Sequence, residues 1–87
     1  MKGIKGRIHW ESKNVLLANR VFLFCIDEKC MSGRIKSFLS VNIIDEFEIT
    51  VDFIEPDFFK SDLIIGRKFT IREASKIIAT GEIKEII

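Results

Sequence analysis

The sequence predicts an all-β domain. Three observations carry this reading: the chain holds sixteen Ile and eight Phe in 87 residues, its clearest segment alternates strictly between apolar and polar side chains, and its apolar runs are short and separated by turn-like residues. Branched and flat side chains pack well on a pleated surface. A period of two marks a sheet that is wet on one face.

In chain order, Ile4, Gly6, Ile8 and Trp10 alternate with Lys5, Arg7 and His9, which predicts a first strand with the apolar set inward. Arg20 to Ile26 is nearly all apolar, as a strand covered on both faces would be. Gly33 to Leu39 is a weaker strand, separated from it by the turn-like Asp27-Glu28-Lys29. Phe47-Glu48-Ile49-Thr50-Val51-Asp52-Phe53 is the clearest, with Phe47, Ile49, Val51 and Phe53 on one face. Arg67 to Arg72 alternates with Phe69 and Ile71 inward. The segment from Glu73 to Ala79 would also suit a helix on propensity. Gly81 and the Ile pairs of Ile77 to Ile87 favour a last strand instead. Six short strands cannot leave a flat sheet with two bare edges, so they close into a barrel or a two-layer sandwich. The expected core contains Ile8, Phe47, Ile49, Val51, Phe53, Phe69 and Ile71. Residues 1–87 show no internal repeat and no domain boundary, and read as a single domain able to bury roughly 60–65% of its unfolded surface.

The near-neutral net charge of +1 hides an asymmetry. Residues 1–36 carry eight Lys/Arg and three acids, residues 37–62 one Lys and seven acids, and residues 63–87 five Lys/Arg and three acids. The composition excludes a wholesale polycation but allows a local basic patch. No apolar run approaches the roughly 18 residues of a membrane span. The first residues lack the apolar stretch of a signal peptide, and two Cys without an export signal point to reduced thiols and a cytoplasmic location.

Most chemistry is excluded. No Gly-x-x-x-x-Gly-Lys-Ser/Thr loop is present, so no nucleotide is expected. His9 is the only His, lies among the outward Lys5 and Arg7, and reads as a surface residue rather than a general base. Cys25 and Cys30 are too few for structural zinc. A two-residue turn at Asp27-Glu28 would set them opposite each other, at the roughly 4.5–5.5 Å Cβ separation of paired β positions. A disulfide prefers about 3.8 Å, so they read as reduced small hydrophobes. The acids Asp45, Glu46, Glu48, Asp52, Glu55, Asp57 and Asp62 read as a solvated face. The expectation is a protein without catalytic residues, metal or cofactor.

A resemblance enters in the second half. Thr50-Val51-Asp52-Phe53-Ile54-Glu55-Pro56 is a strand ending at a proline. After a loop come Gly66-Arg67-Lys68-Phe69-Thr70-Ile71-Arg72-Glu73, then Lys76, then Ala79-Thr80-Gly81. This resembles the third, C-terminal domain of elongation factor Tu, whose strand ending in Ile-x-Pro is followed by Gly-x-x-Phe-x-Ile-Arg-Glu-Gly-Gly-Arg-Thr-x-Gly-x-Gly. Phe69, Ile71, Arg72, Glu73 and Gly81 match, and Lys76 stands where the family has Arg. The specific part runs from about Thr50 to Ile83. Ala74-Ser75 replaces the Gly-Gly of the closing turn, which therefore lacks residues with free access to positive φ. Ile43-Ile44-Asp45 replaces the family's Pro-Gly-Asp turn, the loop from Pro56 to Gly66 is longer, and the first long loop is reduced to Glu11 to Arg20.

The resemblance implies a six-stranded antiparallel closed β-barrel of the elongation factor Tu C-terminal-domain type. It also implies a translation-associated binding module that contacts RNA, tRNA above all, or a translation-related protein. Lys5, Arg7, Lys13, Arg67, Arg72 and Lys76 are the candidate phosphate contacts. If the first and last strands complete the circuit, Lys5, Arg7, Arg72 and Lys76 gather in one patch. The alternative is a protein-interaction domain unrelated to RNA, such as a small regulatory or immunity-type binding protein, using the acidic middle or the loop pair Phe58-Phe59.

Overall fold

A computed structural model describes residues 3–11, 20–41, 44–55, 57 and 61–87. Within them the chain forms six strands: β1 Gly3–Trp10, β2 Val21–Ile26, β3 Lys29–Ser40, β4 Glu46–Phe53, β5 Lys68–Glu73 and β6 Lys76–Ile86. They close into a barrel in the order β1-β4-β3-β2-β5-β6, and every neighbouring pair is antiparallel. The last segment is thus a strand: β6 is hydrogen-bonded on both sides, to β5 and to β1. No helix among the described residues is long and apolar enough to cross a membrane.

The alternation read in the sequence fills the barrel. Ile4, Ile8 and Trp10 of β1, Ile49, Val51 and Phe53 of β4, and Phe69 and Ile71 of β5 are all buried. Phe22, Phe24, Ile26, Ile35, Ile78 and Ile83 complete the circumference. Phe24 sits at the centre, edge-on to Phe53 at 5.7 Å and tilted against Phe69 at 6.0 Å. So narrow an interior holds these rings only where an opposing residue lacks a side chain. A Cβ on Gly33 would lie 2.8 Å from the Phe24 ring, and one on Gly81 would lie 2.6 Å from Phe69 and 2.7 Å from Ile8.

Several expectations are corrected. Phe47 is only partly buried, packing against the core beside Phe38 at one mouth. β2 is not covered on both faces, for Val21 is exposed and Leu23 half-buried. β3 starts at Lys29, because the turn is just Asp27 and Glu28. The turn between β5 and β6 does use positive φ: Ala74 takes φ 56°, a conformation that L-residues other than Gly adopt at a cost.

The thiol reading is overturned as well. Cys25 and Cys30 form a disulfide, with Cα atoms 4.0 Å apart. In a two-residue hairpin the pair closing the turn, here Ile26 and Lys29, is hydrogen-bonded, so the next pair is of the closer, non-hydrogen-bonded kind. The wider average separation of paired strands does not apply there. The two cysteines therefore give no ground for a reducing compartment.

Candidate functional site

The outer face of β5, β6 and β1 carries a surface cavity of about 610 Å³. Register explains it. Cys25 pairs with Thr70, Thr70 with Thr80, Thr80 with His9, and His9 with Glu46. One row across four neighbouring strands, β2, β5, β6 and β1, therefore carries short or flat side chains, and it forms a floor. Long side chains rise on both sides. Towards the end of the barrel that holds Gly3 and Ile87, Lys68 pairs with Glu82 and Glu82 with Arg7. Towards the other end stands Arg72, two residues along β5 from Thr70.

The walls are mixed in charge. Lys68 Nζ lies 3.2 Å and Lys84 Nζ 3.0 Å from the Glu82 carboxylate. These two ammonium groups, that of Lys84 foremost, hold the Glu82 carboxyl below the usual carboxylate range. Arg7 Nε lies 3.5 Å from Glu46. Arg72 donates from Nε to the Thr70 hydroxyl at 3.4 Å, and among the described residues no carboxylate lies within 4 Å of it. All these groups are at least partly exposed, and water and salt screen such pairs so that each contributes little. An arriving anion can therefore displace a carboxylate from its partner at little cost.

Of the residues singled out in the sequence, Arg7 and Arg72 line this groove. Lys5 lies at its margin, 3.9 Å from Glu85. Lys76 is exposed at the β5–β6 turn and is not part of the lining. The expected single patch of Lys5, Arg7, Arg72 and Lys76 is thus split. Arg67 is committed elsewhere, paired with Asp27 and, at 3.9 Å, with Asp62, where it ties the β4–β5 connection to the β2–β3 turn. Lys13, Phe58 and Phe59 lie outside the described residues.

Lys68, Lys84 and His9 line the groove without having been singled out for it. Lys68 was legible, because it shares the outward phase of Thr70 and Arg72. So was Lys84, which continues the outward phase of Thr80 and Glu82; the bulge opposite Lys5 and Gly6 that places it between Ile83 and Glu85 shifts only the residues after it.

A second surface feature lies at the end that holds Gly3 and Ile87. Ile54, Ile64, Ile65, Ile86 and Ile87 are all exposed there. Backbone bonds from Gly66 N to Ile83 O and between Gly3 and Ile87 hold that end together. No family model matches the chain, and no curated protein matches it in sequence.

Proposed function

We propose that the chain is a non-catalytic binding module of the elongation factor Tu C-terminal-domain type that takes RNA along the β5–β6–β1 groove. The observation that carries this reading is the register Thr70↔Thr80↔His9. It sets Arg72 on one side of a row of small polar residues and Lys68 and Arg7 on the other. Three cations around hydroxyl and imidazole donors suit a phosphodiester backbone. The residue match from Thr50 to Ile83 supports the choice of RNA.

The groove also suggests how the RNA is read. Phe69 reaches its floor but is 4% exposed, and Trp10 is buried inside the barrel. Among the described residues neither ring offers a face for base stacking and His9 is the exposed ring of the groove, so recognition runs chiefly through phosphate and sugar. Structured RNA such as tRNA fits better than an unpaired strand. Binding is weak, because Glu46 and Glu82 offset part of the charge, and it falls steeply between roughly 50 and 200 mM salt.

The test is a titration with tRNA and with an RNA duplex of unrelated sequence, on wild type and an Arg7/Lys68/Arg72/Lys84→Ala variant. Salt-dependent binding lost in the variant supports the reading. Equal binding by both proteins, or none at low salt, refutes it. The five exposed isoleucines favour a second reading, a protein partner docked on the end of the barrel. Capture of a protein that is insensitive to salt and lost in an Ile64/Ile65→Ser variant would select it.

A further inference from the structure

The Cys25–Cys30 disulfide opens onto the groove, and its surroundings differ on its two sides. Cys25 is 2% exposed and lines the cavity, whereas Cys30 is only half-buried. Because Cys25 pairs with Thr70, its diagonal neighbours on β5 are Lys68 and Arg72, within reach of long side chains. The charged groups near Cys25 are then these two cations, with Glu82 on Lys68, and Asp27, which is engaged by Arg67. Cys30 lies in the stretch of β3 before its pairing with β4, which begins at Gly33↔Phe53. Among the described residues its outer flank therefore carries no paired strand.

We propose that Cys25–Cys30 is a reversible thiol–disulfide exchange site for a dithiol reductant, with Cys30 the sulfur attacked and Cys25 the sulfur that leaves. A thiolate of the reductant attacks Cys30 Sγ. The new S–S bond forms as the Cys25–Cys30 bond breaks, and the electron pair goes to Cys25, which departs as a thiolate beside Lys68 and Arg72. The second thiol of the reductant then displaces Cys30 as a thiol. The reductant becomes a cyclic disulfide and one proton is released, so two electrons pass from the dithiol to the protein. A thiolate stabilised by neighbouring cations leaves faster and favours the reduced form.

The same step changes the groove. The Cys25 thiolate claims Lys68 and Arg72, which an anionic ligand would otherwise engage, so reduction weakens ligand binding. This second consequence rests on the RNA reading, whereas the exchange chemistry does not.

The experiment treats the folded, oxidised protein with dithiothreitol, alkylates the thiols and counts them by mass, with circular dichroism reporting the barrel. Two thiols at an unchanged β signal are expected, along with restoration of the disulfide by oxidised dithiothreitol. A Lys68→Met/Arg72→Met variant should be reduced roughly three- to tenfold more slowly. Glutathione, a monothiol, should leave its adduct on Cys30. Resistance to dithiothreitol until the chain is denatured, an unchanged rate in the double variant, or an adduct on Cys25 would each overturn the proposal. Titration of tRNA against both redox forms separates the two claims. Weaker binding after reduction supports the coupling, equal binding refutes it, and no binding by either form refutes the RNA reading while leaving the exchange result intact.

Discussion

β4 and β6 both lie against β1, and they differ in nearly everything else. β4 meets β1 in seven consecutive pairs, from Gly3↔Asp52 to His9↔Glu46, without a break in register. Its inward positions Ile49, Val51 and Phe53 are all buried. β6 is bulged on both sides, opposite Lys5 and Gly6 on β1 and opposite Ile71 and Arg72 on β5. Two successive residues, Ile78 and Ala79, face the interior, and Gly81 yields its side-chain space to Phe69. The regular strand seals the core. The irregular one widens and re-aims the sheet, and the groove lies over it. Bulges serve this role generally, increasing local twist and redirecting side chains. One small barrel thus separates a strand that maintains the fold from a strand that shapes a surface.

The largest effects should come from breaking the regular side. Val51 is fully buried in the middle of β4. Val51→Asp would place an unpaired charge in a core with no partner for it, and should destabilise by about 4 kcal/mol or more. Denaturant unfolding followed by circular dichroism measures this, and a loss below about 1 kcal/mol would show that β4 tolerates what a sealed strand cannot. On the irregular side, Gly81→Ala would set a Cβ 2.6 Å from Phe69 and 3.0 Å from the Arg7 carbonyl oxygen. Overpacking of this kind costs about 1–3 kcal/mol. Because Phe69 must shift, the same substitution should also alter ligand binding in the groove, which Val51→Asp would affect only by unfolding the protein.

The two strands also differ in how far they can be read from sequence. Glu46 to Phe53 states its own phase, since every second residue is apolar and nothing interrupts it. The bulges in β3 and β6 leave no comparable mark. An inserted residue such as Lys36 or Lys84 looks like any other polar position, yet it reverses inside and outside for the rest of its strand. The six strands were therefore legible as six short runs, which left a barrel and a two-layer sandwich both open, and the inward set was legible where alternation is unbroken. Arg7 and Arg72 were found as outward cations. Their grouping with Lys68 and Lys84 depends on which strands are neighbours and how they slide, and that is a property of closure. The disulfide was missed for a local reason, the difference between the two kinds of opposed pair in an antiparallel ladder.

A smaller effect, opposite in sign, should come from the turn that starts β6. Ala74 holds φ 56°. Glycine reaches that region freely, whereas an L-residue with a Cβ meets steric resistance. Ala74→Gly should stabilise the protein by roughly 0.5–1 kcal/mol, the relief of strain outweighing the greater freedom of glycine in the unfolded chain. A fall in the melting midpoint would mean that this turn is not strained and that the irregularity of β6 begins only at its bulges.

The smallest effect on stability, and the most direct probe of the groove, concerns Glu82. Its carboxyl is held below the usual carboxylate range, first by Lys84 and then by Lys68. A group whose folded pKa is depressed contributes stability that is present above its unfolded pKa, about 4.3 for Glu, and lost as pH falls through the folded value. The exposed setting keeps that contribution small. The charge balance of the groove changes more. Protonation below the ordinary carboxylate range releases both ammonium groups, and Glu82→Gln does the same at neutral pH. The variant should therefore bind RNA more tightly than wild type and with a steeper salt dependence, since two more cations are free to replace counterions along the backbone. NMR titration of the Glu82 side chain checks the direction of the pKa. Binding isotherms at two salt concentrations check the consequence. An unchanged slope would mean that Lys68 and Lys84 take no part in binding, leaving only Arg7 and Arg72 as contacts on this face.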